Sequence, residues 1–319
     1  MKLLHSPSSL PDGISPEELD FDTIQVACDF FHPDPAIATI IHGHPDLNIW
    51  LTLHGAWWLG GENPFAALTN WLEGAKAVLG ERLLGVRLNH EYSPTQFPEG
   101  YTDFFPKSNF QQFLSSTGHM DMVYYWSSHL GEWRTLLQQI KSGLNAVHML
   151  EGTTHPAQLK TLYRLFVDFQ CRLTSTMIRT FADTCNVFGL KLLVYPGNLS
   201  VPGAAMSPRL FPKIEDTLDR DQTGIHPAII WELSSWDSFS QAWVEAHCKD
   251  VPGHWIMTMQ QNLQEVYSQE RAKESMKWRL TSFTNPPIGV GFWSNWTSSR
   301  SSSAAQLDYL RGIQAALLM

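Results

Sequence analysis

His226-Pro-Ala-Ile-Ile-Trp-Glu-Leu-Ser-Ser-Trp-Asp237 decides how the rest of the chain is read. Ala228, Ile229 and Ile230 follow a turn residue and lead into Trp231 and Glu232. A short apolar run bounded by Pro and Ser predicts a strand buried on both faces. Glu232 stands where that strand should stop, and Trp236 and Asp237 follow in a loop. Buried parallel strands carry function at their carboxyl ends, so an acid beside tryptophans there is a candidate site. The competing reading is a structural Glu bonded to a neighbouring Arg or a backbone amide.

Working outward, strands alternate with helices or long loops. Strands are predicted at Asn48–Gly55, Leu83–Glu91, Met122–Ser127, Asn145–Glu151, Leu190–Tyr195, the run ending at Glu232, His254–Gln260 and Ile288–Trp293. Helices are predicted at Pro64–Leu79, Ser108–Ser115, Glu132–Ile140, Pro156–Phe188, Ser238–Cys248, Asn262–Phe283 and Ala304–Leu318. In the helix at Pro64, the residues Phe65, Leu68, Leu72, Ala75 and Leu79 share one face. Eight strands, each followed by a helix or loop, are the arithmetic of a (β/α)8 TIM-type barrel. A further strand at Thr23–Phe30 makes nine, so either it is an extra or one of the eight is not a strand. An open doubly wound sheet is the alternative, but no GxGxxG or GxxxxGK[ST] follows any strand. Residues 1–22 are rich in Pro, Ser and acid and are expected to form an N-terminal arm outside a single barrel domain, 23–319.

The 319 residues are 43% hydrophobic and 17% charged, enough for a large core. The formal net charge is −9 with no Lys/Arg run, which argues against nucleic acid or an anionic membrane as partner. A small-molecule or oligosaccharide substrate fits better. Cys28, Cys171, Cys185 and Cys248 lack CxxC spacing and read as buried thiols. No stretch has the length and apolarity of a membrane span, and the N-terminus lacks a signal-like run, so a cytoplasmic location is expected.

If the barrel holds, the strand ends face its mouth. They bring together His54, His90, Glu91, Trp126, Glu151, Tyr195, Asn198, Trp231, Glu232, Gln260, Trp293 and Trp296. Glu232, Glu151 and Glu91 are the candidate catalytic carboxylates, and the others are candidate substrate contacts. Tryptophan faces stack on sugar rings, amides and carboxylates bond hydroxyls, and paired acids cleave glycosidic bonds. Burial between Trp231 and Trp236 should raise the Glu232 pKa, whereas a nearby Arg87 would lower it. No cofactor and no metal is expected. His42 and His44 form an HxH pair, but a strand follows them rather than precedes them.

Three patches carry a resemblance. Asn285-Pro-Pro-Ile-Gly-Val-Gly-Phe-Trp-Ser-Asn-Trp296 resembles the last strand of (β/α)8 glycoside hydrolases, where an aromatic floors the sugar site. Arg87-Leu-Asn-His-Glu91 is similar to the run that delivers the acid/base of mannanase-type members, and Pro227-Ala-Ile-Ile-Trp-Glu232 to the one that delivers their nucleophile. The resemblance implies a hydrolase with its acid/base ending the fourth strand and its nucleophile ending the seventh. Counted from Asn48, Glu91 ends the second strand, Glu151 the fourth and Glu232 the sixth, and the seventh ends in Gln260-Gln261; counted from Thr23, Glu232 ends the seventh, but Glu91 ends the third and Glu151 the fifth. Two other classes stay open. One is an acid/base isomerase, lyase or cyclase acting on an apolar small molecule; the other is a sugar-binding barrel without catalysis. Glu215-Asp-Thr-Leu-Asp219 resembles a diphosphate-binding run but reads as a solvated acidic loop.

Overall fold

The computed structural model describes residues 1–5, 15–28, 42–53, 64–89, 107–141, 155–195, 218–219, 224–234, 255–260, 269–281, 287–293 and six residues between 307 and 316. Eight parallel strands close into one barrel: β1 (Lys2–Leu4), β2 (Thr23–Cys28), β3 (Asn48–Leu53), β4 (Leu83–Asn89), β5 (Lys191–Tyr195), β6 (Ile229–Ser234), β7 (Trp255–Gln260) and β8 (Val290–Trp293). They stand side by side in that order. β1 closes the ring, pairing Lys2 with Val290 on β8 and Leu3 with Thr23 on β2. The barrel is therefore the architecture that the spacing predicts.

Two strand assignments needed correction. The first four residues are not part of an outer arm; Lys2–Leu4 is the first barrel strand. Leu3 and Leu4 are fully buried. The Val290 amide donates to Met1 O and the His5 amide to Phe292 O, both at 3.0 Å. Three residues are too few to show a period of two, and the Pro/Ser/acid composition that follows them dominated the reading. The strand at Thr23 is accordingly the second of the eight.

The second correction is Met122–Ser127, which lies in a helix. Four helices, α2 (Lys107–Ser116), α3 (Met120–Ser128), α4 (Leu130–Lys141) and α5 (Ala157–Val187), follow α1 (Pro64–Leu79) and lie, among the described residues, between β4 and β5. The sequence Met-Val-Tyr-Tyr-Trp has strong strand propensity, but tertiary packing overrides it. Met122, Val123 and Trp126 share a helical face and enter an apolar cluster with Phe110, Trp133 and Phe166, while Tyr124 stays exposed. β4 then pairs directly with β5, Gly85 opposite Lys191. The strand expected at Asn145–Glu151 lies outside the described residues.

The helix from Pro64 falls as expected, with Leu68, Leu72 and Leu79 buried. It meets the far end of α5, where Lys76 donates to Phe188 O. A further helix, α6 (Gln269–Thr281), lies between β7 and β8 and buries Met276.

The lower barrel interior is apolar. Leu3, Trp50, Leu193 and Ile230, from four strands, form one cluster, with Met1 and Leu84 against it. The Trp50 indole N–H donates to Met1 Sδ at 3.3 Å. Gly85 makes room for this ring, because a Cβ there would lie 2.7 Å from Trp50 Cζ3 and 1.9 Å from Lys191 O.

Candidate functional site

Side chains on a strand alternate between faces, so the residue two positions beyond each interior residue also points inward. Applied to the apolar floor, that rule selects a polar layer nearer the carboxyl ends. His5 lies two beyond Leu3, Thr52 two beyond Trp50, Arg87 two beyond Gly85, and Glu232 two beyond Ile230. Gln25, on β2, completes the layer. All five are buried, with Thr52, Arg87 and Glu232 at 0% exposure.

Charge pairing joins them. Arg87 Nε donates to Glu232 Oε2 at 2.5 Å, and its Nη2 donates to Oε1 at 3.0 Å. This two-point geometry fixes the carboxylate plane and balances its charge. His5 Nε2 lies 3.2 Å from Oε1 of the same carboxylate. His5 Nδ1 lies 2.5 Å from Oε1 of the Gln25 side chain, which can only accept. One continuous chain of polar contacts thus runs from β2 through β1 and β6 to β4. Burial, opposed by Glu232 and the Gln25 contact and assisted by Arg87, lowers the His5 pKa to about 4. The imidazole is therefore neutral near pH 7.

An ion pair taken wholly out of water carries a desolvation penalty of several kcal/mol per ion, and an apolar layer of equal volume is often as stable. Glu232 is the one buried carboxylate among the described residues. Its place, in the half of the barrel nearer the strand ends, is where barrels hold their reactive groups.

The structure sorts the remaining candidates. Trp231 is only 1% exposed and neighbours Glu232 on a strand, so it packs on the opposite, outer face rather than in the mouth. Trp126 belongs to α3, in contact with Phe110 at 5.0 Å between ring centroids, and stands at no strand end. Tyr195, Gln260 and Trp293 do end barrel strands; Tyr195 is in register with Asn89, and Gln260 with Trp293. Glu91, Glu151, His54, His90, Asn198 and Trp296 lie outside the described residues. With β1 counted, the strand that leads to Glu91 is the fourth, β6 with Glu232 remains the sixth, and β7, ending at Gln260, remains the seventh.

His5 and Gln25 escaped the sequence reading because both depend on recognising β1. The one available signal was Leu3 and His5 two residues apart. The HxH pair is placed elsewhere: His44 Nδ1 contacts Glu17 Oε1 at 2.9 Å on the surface, just before β3 begins. A further histidine, His226, precedes β6. Its Nδ1 accepts from the Ala228 amide at 3.2 Å, so its Nε2–H donates to Asp183 Oδ1 at 2.9 Å, tying the strand to α5. Among the described residues no three His, Cys, Asp or Glu side chains are grouped to hold a metal ion. Among them, too, no helix is long and apolar enough to cross a membrane.

No family model matches the chain, and no curated protein matches it. Among solved structures it is similar to a crystal structure of D-psicose 3-epimerase in the presence of D-fructose, at a TM-score of 0.40 and 11% identity, over 100% of this chain and 99% of that one. The barrel assignment rests on the chain's own closed strand order.

Proposed function

We propose that the chain is an acid/base enzyme of the isomerase or lyase class, acting on a small polar molecule such as a sugar at the carboxyl end of its barrel. Glu232 is its central carboxylate. The observation that carries this reading is the position of that carboxylate: it stands on the sixth strand, paired with Arg87, while the seventh strand ends in the amide Gln260. The hydrolase pattern needs a nucleophilic acid on the seventh strand and a second acid within about 5–9.5 Å. Proton transfer needs only a positioned base and a group to return the proton. The polar layer of His5, Gln25, Thr52 and Arg87 suits a hydroxylated ligand better than an apolar one.

In this reading Arg87 holds Glu232 in a fixed plane, and Glu232 supplies the fixed negative charge of the site. Glu91, two residues beyond the end of β4, is the partner acid. Tyr195, Gln260, Trp293 and Trp296 line the ligand.

Incubation with a panel of aldoses and ketoses in D2O, followed by proton NMR, tests the proposal. Exchange of a substrate C–H for deuterium is expected with the unaltered chain. The rate should fall by several orders of magnitude in Glu232→Gln and in Glu91→Gln, each checked for folding by circular dichroism. Release of the leaving group from aryl glycosides, with no deuterium uptake, would instead establish the hydrolase reading. That reading keeps one specific support, the placement of Glu91 after the fourth strand.

A further inference from the structure

We infer that α2, α3 and α4, with the leading half of α5, form a lobe beside the barrel mouth that excludes long ligands, so that the site takes a single sugar ring rather than an extended glycan. The selection of ligand rests on the proposed reading of the site. The lobe itself rests on helix lengths and packing.

α5 has 31 residues and is about 46 Å long, whereas α1 has 16 and spans about 24 Å. Each returns the chain from the carboxyl end of one strand to the amino end of the next, α1 between β3 and β4 and α5 between β4 and β5. Their last turns stand level, because Lys76, near the end of α1, donates to Phe188 O just after α5. The excess length of α5 therefore lies at its other end. It extends past the carboxyl ends of the strands, on the side of the mouth.

The burial pattern of α5 divides accordingly. Ile178, Phe181, Ala182 and Cys185 are fully buried in the half that leads into β5, and the helix packs there against α1 and the barrel. Leu159, Leu162, Tyr163, Phe166 and Phe169 enter instead the apolar core shared with α2, α3 and α4. At 3.6 residues per turn, the two stripes lie more than a quarter-turn apart around the helix. One helix thus serves two cores, and no described member of the second comes from a barrel strand. Phe110 is the hub of that second core. Its ring meets Phe113, Trp126, Trp133, Phe166 and Phe169 at centroid distances between 5.0 and 6.5 Å.

The chain leaves β4 for this lobe just after Asn89, two residues beyond Arg87, and returns to the barrel at β5. β5 stands between β4 and β6, the strands that carry Arg87 and Glu232. The lobe therefore flanks the sector of the mouth above that pair. Its own core makes it a firm wall. A glycan running from Glu232 toward that side meets the wall, and a single ring does not.

Hydrogen exchange read by mass spectrometry, on the full-length chain and on Phe110→Ala, tests the lobe. Exchange in 107–128 and 157–169 should quicken about tenfold or more in the variant, with β2, β3 and β4 unchanged. Equal quickening in those strands would overturn the second core. The selection is read in the deuterium-uptake assay, with the monosaccharide turned over fastest and a linear trisaccharide carrying it at the reducing end. In Phe110→Ala, kcat/KM for the trisaccharide relative to the monosaccharide should rise about tenfold or more, while KM for the monosaccharide stays within about twofold. A general loss of stability would not improve use of the longer sugar. An unchanged ratio, or an unaltered chain that takes both sugars equally, would overturn the selection. If Phe110→Ala fails to fold, Phe110→Leu is read in the same way. A chain that turns over no sugar would count against the proposed function, and the exchange pattern would still decide the lobe.

Discussion

Arg87 and Glu232 meet inside the barrel from strands β4 and β6 through two hydrogen bonds, although 145 residues separate them. Both are 0% exposed, so neither charge is screened by water. Removing one partner leaves the other buried and uncompensated. Arg87→Met alone should destabilise the fold by about 3–5 kcal/mol, and Glu232→Leu alone by a similar amount. The double replacement should recover most of that loss, because an apolar layer needs no pairing. Urea denaturation of the four proteins measures the cycle. Additive single losses would show that the pair is not coupled.

His5 ties stability to pH in one direction. Its pKa in the fold is about 4, below the ordinary 6.5, so between these values the unfolded chain binds a proton that the folded one does not. Stability from this group is complete above about pH 6.5 and is lost as pH falls toward 4. The slope is at most about 1.4 kcal/mol per pH unit for one proton. Urea midpoints at pH 7, 6, 5 and 4 should therefore fall more steeply for the unaltered chain than for His5→Gln. Parallel curves would show that the imidazole titrates normally in the fold.

Two glycines should respond oppositely to alanine. At Gly85 a methyl group would strike Lys191 O and the Trp50 ring, so Gly85→Ala should destabilise the barrel by several kcal/mol, like other overpacked cores. At Gly74, on the exposed face of α1, nothing lies within 4 Å. Gly74→Ala should stabilise the fold by about 0.5–1 kcal/mol. Thermal melts distinguish the two, and equal shifts would contradict the strand register around Gly85.

Trp126 is a packing residue in this structure. Its indole N–H is buried and makes no hydrogen bond, while its ring sits among Phe110 and the rest of the helical cluster. Trp126→Phe gives up a donor that has no partner and should cost little, whereas Trp126→Ala should cost about 3–5 kcal/mol. Neither change should alter KM once folding is complete. A raised KM in a fully folded Trp126→Phe protein would return this tryptophan to the ligand site.

The strand–helix rhythm was legible from residue composition alone wherever the signal was local. The apolar face of α1, the run into Glu232 and the long α5 each show their period within one element. Glu232 stood out because it follows an apolar run, and Arg87 was quotable beside it. What the chain order could not express was adjacency. β1 has only three residues and no period, yet ring closure gives it one strand neighbour on each side, β8 and β2. That closure brought His5, with Gln25 behind it, to Glu232, and it made the strand that precedes Glu91 in the sequence the fourth rather than the second. Met122–Ser127 shows the converse. Its residues are strand-prone, but as a helix it buries Met122, Val123 and Trp126 in one cluster with Phe110 and Trp133. Trp231 was assigned to the mouth from its neighbour, and alternation on the strand turned it to the outer face. Local pattern determined which segments were apolar and how they would wind. Closure of the ring, a property of all eight strands together, decided which of their side chains met inside.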